Sequence, residues 1–119
     1  MQFGTNKPIY QQILDYLFSL ILSRVWEEDE RIPSIRDIAS SLEVNPNTVM
    51  RSYAILQEKG IIYTKRGVGY FLSENAINTT LCIKREEFIN KILPEIFVSI
   101  DTLDIPIEKI VEYYRKHKK

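Results

Sequence analysis

The run Asn45-Pro46-Asn47-Thr48, with Arg51 one turn later, could do chemistry on a partner. Proline suits the first position of a helix, where its missing N–H would be unpaired anyway, and the asparagine before it can cap. Such a helix shows short amide and hydroxyl groups at its start, followed by a guanidinium. These groups match the donors and acceptors of base edges in the DNA major groove, and free N–H groups at the helix start attract phosphate. Ala54 leaves room for close approach. A second set, Lys65-Arg66-Gly67, puts two cations and a permissive glycine in one short turn, able to sit beside a nucleic-acid backbone or minor groove. Arg36, close to Ser34, could grip a phosphate and fix register. Each set has a plainer reading. Asn45 is a cap first, and Asn47 and Thr48 could be ordinary first-turn residues. Arg51 could be a solvated charge, Arg36 half of an internal ion pair, and Lys65 and Arg66 a charged hairpin tip.

The elements that would position these residues follow from periodicity. Pro8 opens a helix from Ile9 to Trp26, with Ile9, Ile13, Leu17, Leu20 and Val25 on one stripe. Leu14, Phe18, Ile21 and Leu22 widen its apolar surface, so it should be covered on more than one side. Ser34 reads as the N-cap of a short second helix, with Asp37 as a shorter capping-box partner and Ile35, Ile38, Ala39 and Leu42 facing the core. Glu43 and Val44 make a tight connection. The third helix runs to Lys59 and stops at Gly60. Its stripe is Val49, Ser52, Tyr53 and Leu56, which puts Asn47, Arg51, Ala54 and Glu58 on the opposite face, with Met50 at its edge. Ile61 to Thr64 and Tyr70 to Leu72 read as strands joined through Lys65 to Gly69. Tyr53 and Tyr70 are assigned to the core. Asn75 to Thr80 reads as a polar linker. A helix over Arg85 to Thr102 follows, which Pro94 should kink or break, and then one from Pro106 to about His117. The order helix, helix, turn, helix, hairpin is the winged helix-turn-helix plan.

Composition limits the alternatives. The 119 residues suit one small domain with an appendage, and 45% hydrophobic content allows a packed core. Sixteen basic residues balance sixteen acidic ones, which argues against indiscriminate coating of nucleic acid. The basic footprint is local: the third helix and hairpin, and the tail from Arg115 to Lys119. The single cysteine, Cys82, is read as inert and fits a reducing cytoplasm. The opening from Met1 to Lys7 is polar, and the apolar run from Tyr16 to Leu22 is too short to span a bilayer. There is no phosphate-binding glycine loop and no His–Cys metal set. The Glu27 to Glu30 cluster lacks the spacing of a cation loop and reads as a solvated turn. No enzyme, cofactor, metal or membrane partner is expected, and no small-molecule effector is assigned.

The chain resembles the GntR family and, within it, the short YtrA-type subfamily. The matching residues are Pro8-Ile9-Tyr10 with Gln12, Ile32-Pro33-Ser34 with Arg36, Ile38-Ala39 and Leu42, then Val44 through Val49, Tyr53, Leu56, Gly60 and Gly67-Val68-Gly69-Tyr70-Phe71. They cover roughly residues 8 to 73, and the C-terminal part matches more loosely. The resemblance implies operator binding as a homodimer, with Arg36, Asn45, Asn47, Thr48, Arg66 and Gly67 as carried-over contacts. It also implies control of its own or a neighbouring operon, such as one for an ABC transporter. The family usually has glycine where Arg24 and Asp29 stand, ending the first helix and making the next turn. Met50 replaces a basic residue found in some relatives, so base preference does not transfer.

The expected fold is therefore mainly α with a small β-hairpin: a winged helix-turn-helix over 1–75 and a two-helix dimerisation extension over 76–119. The DNA-facing set is Ser34, Arg36, Asn45, Asn47, Thr48, Arg51, Lys65, Arg66 and Gly67. Two short helices cannot enclose a ligand pocket of several hundred Å3. Their surplus apolar surface needs a partner, so a symmetric dimer is expected through Phe88, Ile92, Ile96, Phe97, Ile110, Tyr113 and Tyr114, with help from the first helix. The expected function is a sequence-specific DNA-binding transcription regulator, a homodimeric repressor, in the cytoplasm. Two alternatives are a winged-helix protein-interaction module without DNA binding and a single-strand or RNA binder. The first would want apolar or acidic groove-facing positions, and only Glu58 is acidic there. The second would want exposed aromatics beside the cations on the third helix, which has none.

Overall fold

The computed structural model describes residues 6–118. Most of the polar opening that begins at Met1, and the last residue of the basic tail, Lys119, lie outside the described residues. Two compact units divide the chain, one ending at Cys82 and the other beginning at Ile83.

In the first unit, α1 (Ile9–Leu22) buries Ile13, Leu14, Leu17, Phe18 and Ile21. Of the expected stripe, Ile13 and Leu17 are buried and Leu20 is half-buried, while Ile9 and Val25 at its two ends are exposed. Of the side chains that widened the apolar surface of α1, Leu14, Phe18 and Ile21 are buried within this unit and Leu22 is half-buried. The helix also ends before Trp26. Arg24 takes a φ of 58°, and the N–H groups of Arg24 and Val25 donate to the carbonyls of Ile21 and Leu20 at 3.0 and 3.1 Å. This bond pair is the left-handed helix stop that glycine ordinarily serves. Asp29, at φ 66°, makes the next turn. Trp26 is buried in the connecting loop instead of on the helix.

Helix α2 (Ile35–Leu42) begins with a reciprocal capping box. The Asp37 N–H donates to Ser34 Oγ at 3.0 Å, and the Ser34 N–H donates to Asp37 Oδ2 at 3.3 Å. Glu43, left-handed at φ 56°, turns the chain toward α3 (Pro46–Glu58). Gly60, at φ 75°, stops α3. The N–H groups of Gly60 and Ile61 return to the carbonyls of Gln57 and Leu56 at 3.0 and 2.9 Å. Both α1 and α2 pack on α3, which also meets the hairpin. Leu17, Ile38, Val49, Leu56, Ile61 and Leu72 are among the buried side chains of this core.

Strands β1 (Ile62–Lys65) and β2 (Gly69–Leu72) pair antiparallel, with Tyr63 opposite Phe71 and Lys65 opposite Gly69. Residues 29–32 add a third line of pairing that the alternation did not suggest. Asp29 N–H donates to Leu72 O at 2.7 Å, Ile32 N–H to Tyr70 O at 3.0 Å, and Leu72 N–H to Glu30 O at 3.0 Å. Arg31 thereby lies opposite Phe71.

The segment expected to be a polar linker is the start of a helix, α4 (Ala76–Glu87). Asn75, at φ 67°, breaks the chain from the hairpin. Ala76 and Thr80, one turn apart, are both buried. Burial of that narrow face outweighs the weak helix propensity of asparagine and threonine.

In the second unit the helix continues through one π turn, Phe88–Ile92, into α5 (Leu93–Thr102). Pro94 is the cause. It has no N–H for the carbonyl of Asn90, and its ring crowds that carbonyl. The backbone widens instead of breaking, and Leu93 N–H reaches Phe88 O. Asp104, at φ 55°, ends α5, and α6 (Ile107–Lys118) follows. No described residue from Ile83 onward is buried.

Candidate nucleic-acid interface

Helix α3 is amphipathic in the sense its sequence suggests. Val49, Ser52, Tyr53 and Leu56 are buried, whereas Asn47, Met50, Arg51, Ala54 and Glu58 are exposed. Two hydrogen bonds from its inner face set its position. Ser52 Oγ donates to the carbonyl of Tyr10 on α1 at 2.7 Å. Tyr53 Oη donates to the carbonyl of Pro33, just before α2, at 2.6 Å. Burial pushes the Tyr53 phenol well above the ordinary tyrosine range, with Tyr70 and Asp37 adding to the effect. The hydroxyl therefore keeps the proton its bond requires. The Tyr53 ring meets Tyr70 edge-on at 4.9 Å, which ties α3 to β2.

At the N-terminus of α3, Asn45 Oδ1 accepts from the Asn47 N–H at 2.8 Å, so Asn45 is a cap and retains its side-chain NH2 for donation. Asn47 is exposed and Thr48 half-buried beside it. Ser34 Oγ is likewise engaged as a cap acceptor, with its hydroxyl hydrogen left to donate. Arg36 is exposed and has no ion pair among the described residues, so the internal-pair reading of it fails.

The hairpin tip carries Arg66, Gly67 and Val68 between the strands, all exposed. Gly67 stands at φ 78° with open space where a side chain would be. Lys65 is exposed, and its Nζ rests 4.6 Å from the centroid of the Phe71 ring, which stacks on Tyr63.

Sequence reasoning missed two residues at this site, Tyr10 and Arg31. Arg51 does not extend freely into solvent: its guanidinium carbon lies 3.7 Å from the centroid of the Tyr10 ring. Arg31 lays its guanidinium across Gly69, whose added Cβ would meet Arg31 Nε at 2.9 Å. The signals were present. Tyr10 belongs to the Pro8-Ile9-Tyr10 motif, and Arg31 precedes Ile32-Pro33 in a segment that must be extended before proline.

The residues expected at a dimer interface lie in the second unit. Phe88, Ile92, Ile96, Phe97, Tyr113 and Tyr114 are 39–58% exposed, and Ile110 is half-buried. An open apolar groove of about 310 Å3 runs along Ile92, Ile96, Ile100, Leu103 and Ile105. Among the described residues no cluster of His, Cys, Asp or Glu could hold a metal. No helix there is long and apolar enough to cross a membrane.

Comparison with known proteins agrees with this arrangement. Residues 9–72 match the family model described as bacterial regulatory proteins, gntR family. The chain is 33% identical over 112 residues to the HTH-type transcriptional repressor YtrA of Bacillus subtilis, covering 94% of this chain and 85% of that protein. A solved GntR family transcriptional regulator from Listeria monocytogenes is 40% identical, with a TM-score of 0.75 over 96% of this chain and 98% of that one. A solved GntR-family protein from Bacteroides thetaiotaomicron is 38% identical, with a TM-score of 0.79 over 92% and 96%. With the recognition-helix geometry, the hairpin and the matched span all in agreement, the chain belongs to the gntR family of bacterial regulatory proteins, which are DNA-binding transcription regulators and not enzymes.

Proposed function

We propose that the chain is a cytoplasmic homodimeric repressor that reads an operator in duplex DNA and controls its own or a neighbouring operon, such as one for an ABC transporter. On this reading residues 1–75 form the DNA-binding domain and 76–119 the dimerisation extension. The observation that carries it is the open, polar N-terminal face of α3 beside an exposed cationic hairpin tip. Asn47, Thr48 and Arg51 read base edges, while Asn45 and Ser34 donate to the sugar–phosphate backbone. Arg36, Lys65, Arg66 and the Gly67 backbone hold phosphates, and Arg31 adds a third cation at the hairpin.

Repression is supported by the likeness to a protein named as a repressor. The homodimer is supported by the uncovered apolar side chains of the second unit, which a second copy would cover. Location in the cytoplasm is supported by the exposed thiol of Cys82.

The test is selection of duplexes from a randomised pool by the purified chain, followed by titration. The expected product is an inverted repeat with half-sites about 10 base pairs apart or a multiple of that, bound by two chains. Arg51→Ala should weaken binding to the selected duplex by about 1–3 kcal/mol and relax its sequence preference. Unchanged affinity in both Arg51→Ala and Arg66→Ala would refute the interface.

A further inference from the structure

We infer that Tyr10, on the first turn of α1, is a positioning residue for DNA reading: its ring holds the Arg51 guanidinium in the orientation that meets the duplex. The inference rests on the interface proposed above and deepens it. An exposed arginine samples many rotamers, and ordering it on binding costs affinity. Here the guanidinium carbon sits 3.7 Å from the Tyr10 ring centroid, within the range of a cation–π stack.

Such a stack occupies one flat face of the guanidinium. Its N–H groups radiate in the plane and stay available for a paired acceptor, whether the O6 and N7 of guanine or two phosphate oxygens. Among the described residues no hydrogen bond or ion pair engages Arg51. The aromatic partner is itself fixed. The Tyr10 carbonyl accepts from Ser52 Oγ at 2.7 Å, and Ser52, next in sequence to Arg51, is fully buried. One pair of adjacent residues on α3 therefore grips the backbone and the ring of one residue on α1. The ring sets where the cation lies, and the buried hydroxyl sets where the backbone that carries the ring lies.

The test uses the full chain, a duplex selected by the wild-type chain from a randomised pool, and a mixed-sequence duplex lacking the selected motif. Tyr10→Phe keeps the ring and should bind the selected duplex as the wild type does. Progressively fluorinated phenylalanines at position 10 keep the shape while draining the ring of electrons. They should weaken that affinity stepwise, to about tenfold at the end of the series. The mixed-sequence duplex should lose less. In an Arg51→Ala background the same series should be flat.

A flat series in the presence of Arg51, when Arg51→Ala alone weakens binding, overturns the positioning role and leaves the interface standing. A series that declines equally with and without Arg51 also overturns it, because Tyr10 would then act by another route. If Arg51→Ala has no effect on the selected duplex, Arg51 does not read it and the positioning role fails; if Arg66→Ala also has no effect, the interface fails with it.

Discussion

The two units of this chain treat apolar side chains in opposite ways. In the first, α1, α2 and α3 bury Leu17, Ile38, Val49 and Leu56 against one another and against the hairpin. In the second, α5, α6 and the turn between them leave Phe97, Val98, Leu103 and Tyr114 about half exposed or more, and not one described residue is buried. Apolar stripes run along helices of both units, so periodicity alone does not tell a finished core from half of one. The difference lies in what stands opposite each stripe. The first unit supplies its own opposing faces, while the second presents apolar surface of the kind that marks an interaction site.

That contrast can be broken most severely at the second unit. Ile96→Asp puts an unpaired carboxylate where the proposed second copy would bury it, which costs about 3–5 kcal/mol. Light scattering should then report monomers, and two-site binding to the selected duplex should be lost. A stable dimer of the variant would remove the premise that this face is covered by a copy of itself.

A paired truncation sharpens the comparison. Leu17→Ala empties part of a self-contained core and should lower unfolding stability by about 2–5 kcal/mol at any protein concentration. Phe97→Ala should lower the melting temperature by an amount that depends on protein concentration, because in the proposed dimer its packing would be shared between chains. Equal concentration dependence in the two variants would contradict the distinction between the units.

The surface of the first unit gives smaller effects. Arg66→Ala should weaken selected and mixed-sequence duplexes alike and reduce the salt slope of binding by about one. Loss confined to the selected duplex would make Arg66 a base reader instead. Smallest, and opposite in sign, is Arg24→Gly. A non-glycine residue in the left-handed region pays roughly 1–2 kcal/mol, so the variant should melt at a higher temperature by calorimetry. A lower melting temperature would show that the Arg24 side chain contributes more than its backbone strain costs.

Much of the reading half was legible because its punctuation is local. Ser34 with Asp37, Asn45 with Pro46, and Gly60 each announce a helix boundary through a few adjacent residues, and the exposed face of α3 followed from spacing. The misses involve contacts distant in sequence or backbone states with weak residue signatures. Arg24 stops α1 without being glycine. Ala76 and Thr80 make a buried face out of a segment whose composition reads as a linker. Tyr10 and Arg51 lie far apart in the chain and meet only after α1 packs on α3. Pro94 announced a disturbance, which the backbone meets with one π turn and no break.

The three backbone bonds from residues 29–32 to β2 have a mechanical consequence. The same strip of chain that completes the hairpin runs on through Pro33 into the capping box of α2, so the hairpin cannot flap without dragging the start of α2 along. On the proposed interface, the span between the Arg36 and Arg66 grips is then stiff. A duplex must bring its phosphates to that span by adjusting its own groove, and tracts that deform cheaply gain an advantage even at base pairs the protein never touches.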